Sequence, residues 1–286
     1  MIKNPFSASA SAKTLIVALL AVLIISSCTE PPPKYTLRHY YGPIDTIFNY
    51  SLELERDVTS YRNDSLRHTS VMRVKGAMDF STAGIEDDSI YTIMEKDLLE
   101  IDQIVDDTGQ ATRLTRTVEY EIRQTYLGEV LDAKVISGEI DAQEYVYQYF
   151  RQGAVVLPKE AIPIGHKWTQ TYRVETETGD TVETKTHFKL KGQGTKSGYD
   201  CLIIEYQGEG YIPVRDIPGD TLQTFGHDKY ISTGIVHMTP DGLMISFEEK
   251  RRIDYQRRII KDGREIHHKS EAKDFIRYYI NDTLPH

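Results

Sequence analysis

The chain is predicted to be mainly β, with long, curved antiparallel strands forming a half-barrel or open barrel and one or few helices. Three observations lead there. Apolar and polar residues alternate with a period of two along much of the chain, the rhythm of a sheet with one buried and one wet face. Turn signals containing Gly and Asp separate these runs. The aromatic content is 19 Tyr against 8 Phe and 1 Trp, which suits strands that are only half buried.

In chain order, Phe48, Tyr50, Leu52 and Leu54 alternate with Asn49, Ser51 and Glu53. Met72, Val74, Met78 and Phe80 follow the same rhythm, with Gly76 in the apolar row as an expected bulge or bend. Val118, Tyr120 and Ile122 face away from Glu119, Glu121 and Arg123. The clearest strand sets Val182, Thr184, Thr186, Phe188 and Leu190 against Glu183, Lys185, His187 and Lys189. Asp107-Thr108-Gly109, Thr178-Gly179-Asp180, Lys196-Ser197-Gly198, Pro240-Asp241-Gly242 and Lys261-Asp262-Gly263 supply hairpin turns. The run from Leu243 to Ile260 far exceeds the common strand length of about 5 or 6 residues, which calls for curved or bulged strands. One helix is predicted over Asp141–Phe150, where Asp141 and Glu144 form a capping-box pattern. The alternation of Tyr145, Tyr147 and Tyr149 keeps a strand open there.

The N-terminus carries Lys3 and Lys13, an apolar run too short to span a bilayer that needs about 20 residues, and then Ile25-Ser26-Ser27-Cys28. That tetrapeptide resembles the lipobox of bacterial lipoproteins, in which the cysteine is acylated and becomes the first residue after cleavage. Residues 1–27 are then a signal peptide and 28–40 a lipidated Cys28 with a tether stiffened by Pro31-Pro32-Pro33. Several acyl chains on one residue give stable attachment. Thr29 stands where an inner-membrane retention signal would place Asp, so the expected location is the cell envelope, lipid-anchored at the outer membrane. Residues 41–286 form the β domain, divided into halves 41–153 and 154–286.

The net charge of −9 argues against nucleic acid as a partner. Besides Cys28 only Cys201 remains, so no disulfide forms within the processed chain; leading the apolar run Leu202–Ile204, it reads as a small buried hydrophobe.

The two halves meet at "VVLPKEAIPIGHKW". Leu157-Pro158, Pro163-Ile164-Gly165 and Trp168, followed by a long hairpin and the strand "CLIIEYQGEG", resemble a group of Bacteroidetes-type envelope lipoproteins. The fold this resemblance implies is similar to the lipoprotein-carrier half-barrel of LolA, LolB and LppX type: a curved antiparallel sheet with helices on its concave side. Those carriers use two or three helices, whereas one is predicted here.

Sites of chemistry are sparse. The nine histidines fall in no HExxH or Cys-rich arrangement, and neither a metal nor a cofactor is expected. His166 and His187 read as solvated. Ser270-Glu271-Ala272-Lys273 matches the SxxK pattern without its companion elements, so no enzyme activity is expected. Asp87-Asp88 and Asp106-Asp107 read as loop tips, and Lys250-Arg251-Arg252 as part of an ion-pair face. The expected function is binding of a lipid or other hydrophobic ligand in a groove lined by Met72, Met78, Phe188, Leu190 and Phe247. The alternative is a non-enzymatic structural subunit docking an envelope protein partner.

Overall fold

The structure, a computed structural model, describes residues 31–63, 65–105, 110–138, 146–175, 181–213, 223–261 and 264–281. Cys28, the predicted cap residues Asp141 and Glu144, and the turns at 107–109, 178–180 and 262–263 lie outside them. Contacts group the chain into two units, Met1–Lys34 and Tyr35–His286, and the second contains the sheet.

Eleven antiparallel strands form one open sheet not closed into a barrel. Strand β1 (Lys34–Tyr35) and strand β7 (Ile162–Pro163) form a separate two-stranded ribbon. The first half supplies β2 (Ile47–Arg62), β3 (Ser65–Glu86), β4 (Ile90–Val105), β5 (Gln110–Thr125) and β6 (Val130–Ser137). Helix α1 (Val146–Gly153) and β7 lead to the second half: β8 (Lys167–Glu175), β9 (Thr181–Lys196), β10 (Tyr199–Pro213), β11 (Gln223–Met238), β12 (Met244–Lys261) and β13 (Arg264–Ile280). Each half is a meander. They join where β2 pairs with β13, so the spatial order is β6-β5-β4-β3-β2-β13-β12-β11-β10-β9-β8. The two sequence halves therefore share one continuous sheet.

Period-two alternation makes this a two-faced sheet, and the register carries the inner face across it. Tyr50 pairs with Met78 and Ile280, and Leu54 with Val74 and Ile276. At the glycine expected to bulge, the ladder is regular: Gly76 pairs with Leu52 and Leu99. Its missing side chain makes room for Leu99, whose Cδ2 would lie 2.7 Å from an added Cβ. The register shifts of β2–β3 and β3–β4 fall instead at Ser60/Tyr61 and Thr82/Gly84. Positive φ at Ser197 and Gly198 (53° and 85°) closes the β9–β10 hairpin as the turn signal predicts.

The sheet is strongly curled. Laid flat, eleven strands would separate β6 from β8 by about 48 Å, yet a helix of 8 residues, about 12 Å long, reaches both. Val146 and Phe150 of α1 pack on Ile122, Val130, Ala133 and Val135 of β5 and β6. From the same helix the Arg151 guanidinium lies 5.4 Å from the ring centre of Tyr172 on β8. The next segment repeats the bridge: Leu157 N–H donates to Leu127 O beside β6, and Val156 N–H donates to the Gln170 amide oxygen on β8. Helix α1 thus occupies the slot between the two edges.

One end of the curl is tied by the segment 35–43. Leu37 is 2 % exposed and joins a core with Leu157, Ile162, Phe188, Leu190 and Ile204. His39 N–H donates to Tyr126 O, Tyr40 N–H to Gly242 O, and the Thr82 hydroxyl to Tyr41 O. Tyr35–Tyr40, predicted as tether, is therefore part of the folded unit.

Candidate functional site

Inside the curl, inward side chains of both halves face one another across the β2–β13 seam. An aromatic ladder crosses the interior. Trp168 on β8 stacks on Phe188 at 5.2 Å, Phe188 meets Tyr206 at 5.8 Å, Tyr206 stacks on Phe247 at 5.8 Å, and Phe247 meets Tyr278 at 5.5 Å. Strand β11 lies between Tyr206 and Phe247, and it contributes Gly234, register partner of both Tyr206 and Glu249. A Cβ at Gly234 would be driven into the Tyr206 ring, so the missing side chain is what lets the ring cross to β12. The Trp168 indole N–H donates to Val156 O at 2.9 Å, which fixes the ladder's first ring.

Beyond the ladder the inner face turns polar. Arg251, directly across from Asp274, donates to Glu249 at 2.7 Å and lies over the Tyr230 ring at 5.8 Å. Asp274, 4 % exposed, accepts a bidentate pair of bonds from Arg56 at 2.8 and 2.7 Å. Nearby Glu249 contributes, after burial itself, to raising the Tyr206 phenol, though that hydroxyl has no well-formed hydrogen bond.

On the opposite wall, Glu95 and Asp97 of β4 are each 8 % exposed and act on each other from two positions apart on the same face. Burial raises both carboxyls, Asp97 to about 6 and Glu95 well above the ordinary glutamate range. Tyr120 stands across from Glu95 and packs edge-on against Phe150 of α1 at 5.1 Å. Tyr149 of the same helix stands near enough to Tyr278 on β13, in the middle of the sheet, for each phenol to act on the other. It leaves 65 % of its surface uncovered, yet surrounding protein desolvates it enough to raise its phenol.

The predicted groove residues all fall on this inner face but divide in two. Met78, Phe188 and Leu190 are 3 %, 3 % and 0 % exposed, which makes them sealed core. Met72 and Phe247 are half-buried and open toward the interior. Leu157 is buried beside Ile162, Pro158 is half-buried, Gly165 turns with φ 89°, and Trp168 opens the ladder. His166 stacks on Trp168 at 6.4 Å, and His187 bonds the Thr169 hydroxyl on the outer side. Cys201 is 2 % exposed. Ser270 bonds Ser60 inside while Lys273 points outward to Glu271, so the SxxK residues are not brought together. Among the described residues no group of three His, Cys, Asp or Glu is placed to hold a metal ion, and no helix is long and apolar enough to cross a membrane.

Arg251 was hidden in the sequence by its neighbours. Lys250 and Arg252 point outward, Arg252 pairing with Asp254 and Glu271, and only alternation marks Arg251 as the inward member. The polar pairs Glu95/Asp97 and Glu249/Arg251 carry an alternation signal too: each spans two positions of an otherwise apolar row.

Fold and site together define a class: an open, curled antiparallel sheet whose slot is filled by one helix and whose interior is aromatic on one level and polar on the next. The chain matches no protein-family model and no curated protein.

Proposed function

We propose that the protein is a non-enzymatic, lipid-anchored envelope protein that binds a lipid or other hydrophobic ligand inside the curled sheet. The observation that carries this reading is the aromatic ladder from Trp168 to Tyr278, in which Trp168, Tyr206, Phe247 and Tyr278 remain only partly covered on the concave face. Partly covered rings in a row offer an acyl chain or flat apolar ligand a long contact without a large entropic cost of ordering the wall. Helix α1 in the slot gives such a ligand a removable wall, since its only buried residue is Val146. The lipobox resemblance at Cys28 supports attachment to the outer membrane, and the resemblance of the Leu157–Trp168 segment to carrier-like lipoproteins supports a container role. A groove of ≈ 620 Å³ rimmed by Lys167, Glu205, Glu248 and Lys250 also has Ile235 and Phe275 in its wall and adjoins the ladder at Phe188 and Tyr206.

Trp168 is the single tryptophan, so it reports on the ladder directly. Titrating the delipidated full chain with a long-chain amphiphile is expected to change Trp168 emission saturably, with a one-to-one adduct in native mass spectrometry. No saturable change with acids, alcohols or phospholipids would overturn the reading.

A further inference from the structure

We infer that the interior carries a head-group site for an oxyanion, built by Arg151, Gln170 and Tyr172 next to the first ring of the ladder, and that the ligand is a long-chain carboxylic acid. The inference deepens the proposed ligand-binding function and rests on it for the apolar part of the ligand.

Three donors lie on or against β8, with the exposed carboxylate of Glu129 acting on Tyr172 from outside the group. Gln170 is 9 % exposed, and its amide oxygen is taken by Val156 N–H at 3.2 Å, an assignment that turns Nε2 away; that buried nitrogen has no partner. Tyr172 is 8 % exposed and its hydroxyl is likewise buried without a partner. Both lie on the inner face of β8, two residues apart, and Trp168 is the next inward residue of the same strand. The third donor is Arg151, held between the Tyr147 and Tyr172 rings at 5.8 and 5.4 Å, with no ion pair among the described residues. Across from Tyr172, the Thr184 hydroxyl is 1 % exposed and lacks a well-formed bond.

Beside these donors stand Gly208 and Gly210 on β10, which register with Thr186 and Ser232 and with Tyr230. An added Cβ at Gly208 would stand 2.7 Å from the Ser232 hydroxyl, and one at Gly210 would be driven into Thr184. The Ser232 and Thr184 side chains occupy the space above these glycines, so hydroxyls flank the donors. Buried donors left unpaired are costly, so a site that keeps an amide, a phenol and an unpaired guanidinium together is organised to accept. A carboxylate matches: its two oxygens take the planar guanidinium fork and the neighbouring neutral donors. The inward arginines of the sheet are committed elsewhere, Arg56 to Asp274 and Arg251 to Glu249. With the head at Arg151, the chain runs from Trp168 along the ladder toward Tyr278.

The test compares hexadecanoic acid with hexadecanol on the full chain, read by Trp168 emission and native mass spectrometry. The acid is expected to bind roughly tenfold to a hundredfold more tightly, the worth of charge-assisted hydrogen bonds. Arg151→Met and Gln170→Glu are expected to remove most of the acid's advantage over the alcohol, lowering the acid's affinity far more than the alcohol's. Glutamate at 170 keeps an acceptor for Val156 N–H, so that variant retains the local fold, and Tyr172→Phe removes only a hydroxyl. Equal affinities in the unaltered protein, or acid binding that survives all three variants, would overturn the head-group site while leaving the container role standing. Saturable binding of neither chain would overturn both.

Discussion

Gly234 lies directly beneath the ring of Tyr206, and the ring reaches Phe247 two strands away only because position 234 has no side chain. A mid-strand glycine ordinarily weakens a sheet; here it is the passage through which an aromatic contact skips β11. Gly234→Ala is expected to destabilise the protein by about 1–3 kcal/mol, the usual cost of overpacking, because Tyr206 is held between Phe188 and Phe247. Urea unfolding measures this. In a Tyr206→Leu background the same substitution should cost far less, and additive effects would show that the ring is not the obstacle.

The ion pair between Arg56 and Asp274 lies inside the sheet, with the Asp274 side chain fully covered. Removing the cation strands a buried carboxylate. Arg56→Met is expected to cost roughly 3–5 kcal/mol, and Arg56→Met with Asp274→Leu to recover most of that loss. If the double variant is no more stable than the single one, Asp274 has found another partner.

Burial raises Asp97 to about 6, and its neighbour Glu95 is raised as well. A carboxyl whose pKa is higher in the folded than in the unfolded chain holds its proton more tightly when folded. Its protonated form favours folding at low pH, and stability falls as pH rises from the ordinary aspartate range near 4 through about 6. Asp97→Asn removes that penalty. The variant is expected to be more stable than the unaltered protein at pH 8, by roughly 1–3 kcal/mol, with the gap shrinking below pH 4. Thermal melts across this range decide it; a gap independent of pH would place the effect in packing rather than protonation.

Much of this fold was legible because alternation survives translation into structure residue by residue. Phe48, Tyr50, Leu52, Phe188 and Leu190 all fall on the inner face as their spacing requires. The helix appears at Val146–Gly153, within and just beyond the predicted span, because Val146, Phe150 and Ala154 share a face that the alternation of Tyr147 and Tyr149 obscures. What stayed hidden depends on closure. Nothing local to Arg151 or Gln170 says that strands at opposite ends of the order meet across one helix, and the burial of Leu37 likewise needs the curl to exist first. Glu95 and Asp97 look like solvated carboxylates until the opposite wall is in place.

The segment that closes the other end gives the last prediction. Tyr40 N–H bonds Gly242 O, and Gly242 itself, at φ 108°, presses against the Arg38 carbonyl so closely that no Cβ fits between them. That approach holds Leu37 against Leu157 and Leu190. Gly242→Ala is doubly penalised, by a left-handed backbone and by collision with the crossing segment. It is expected to expel residues 35–43 from the end of the curl, whereas Leu37→Ala leaves them in place with a cavity and costs about 2–5 kcal/mol. Hydrogen exchange separates the two outcomes. The amides of His39 and Tyr40, which donate to Tyr126 and Gly242, should lose protection in Gly242→Ala and keep most of it in Leu37→Ala. Protection retained in both variants would mean that the segment is held by its side-chain contacts, such as Tyr41 against Tyr91, rather than by the Gly242 crossing.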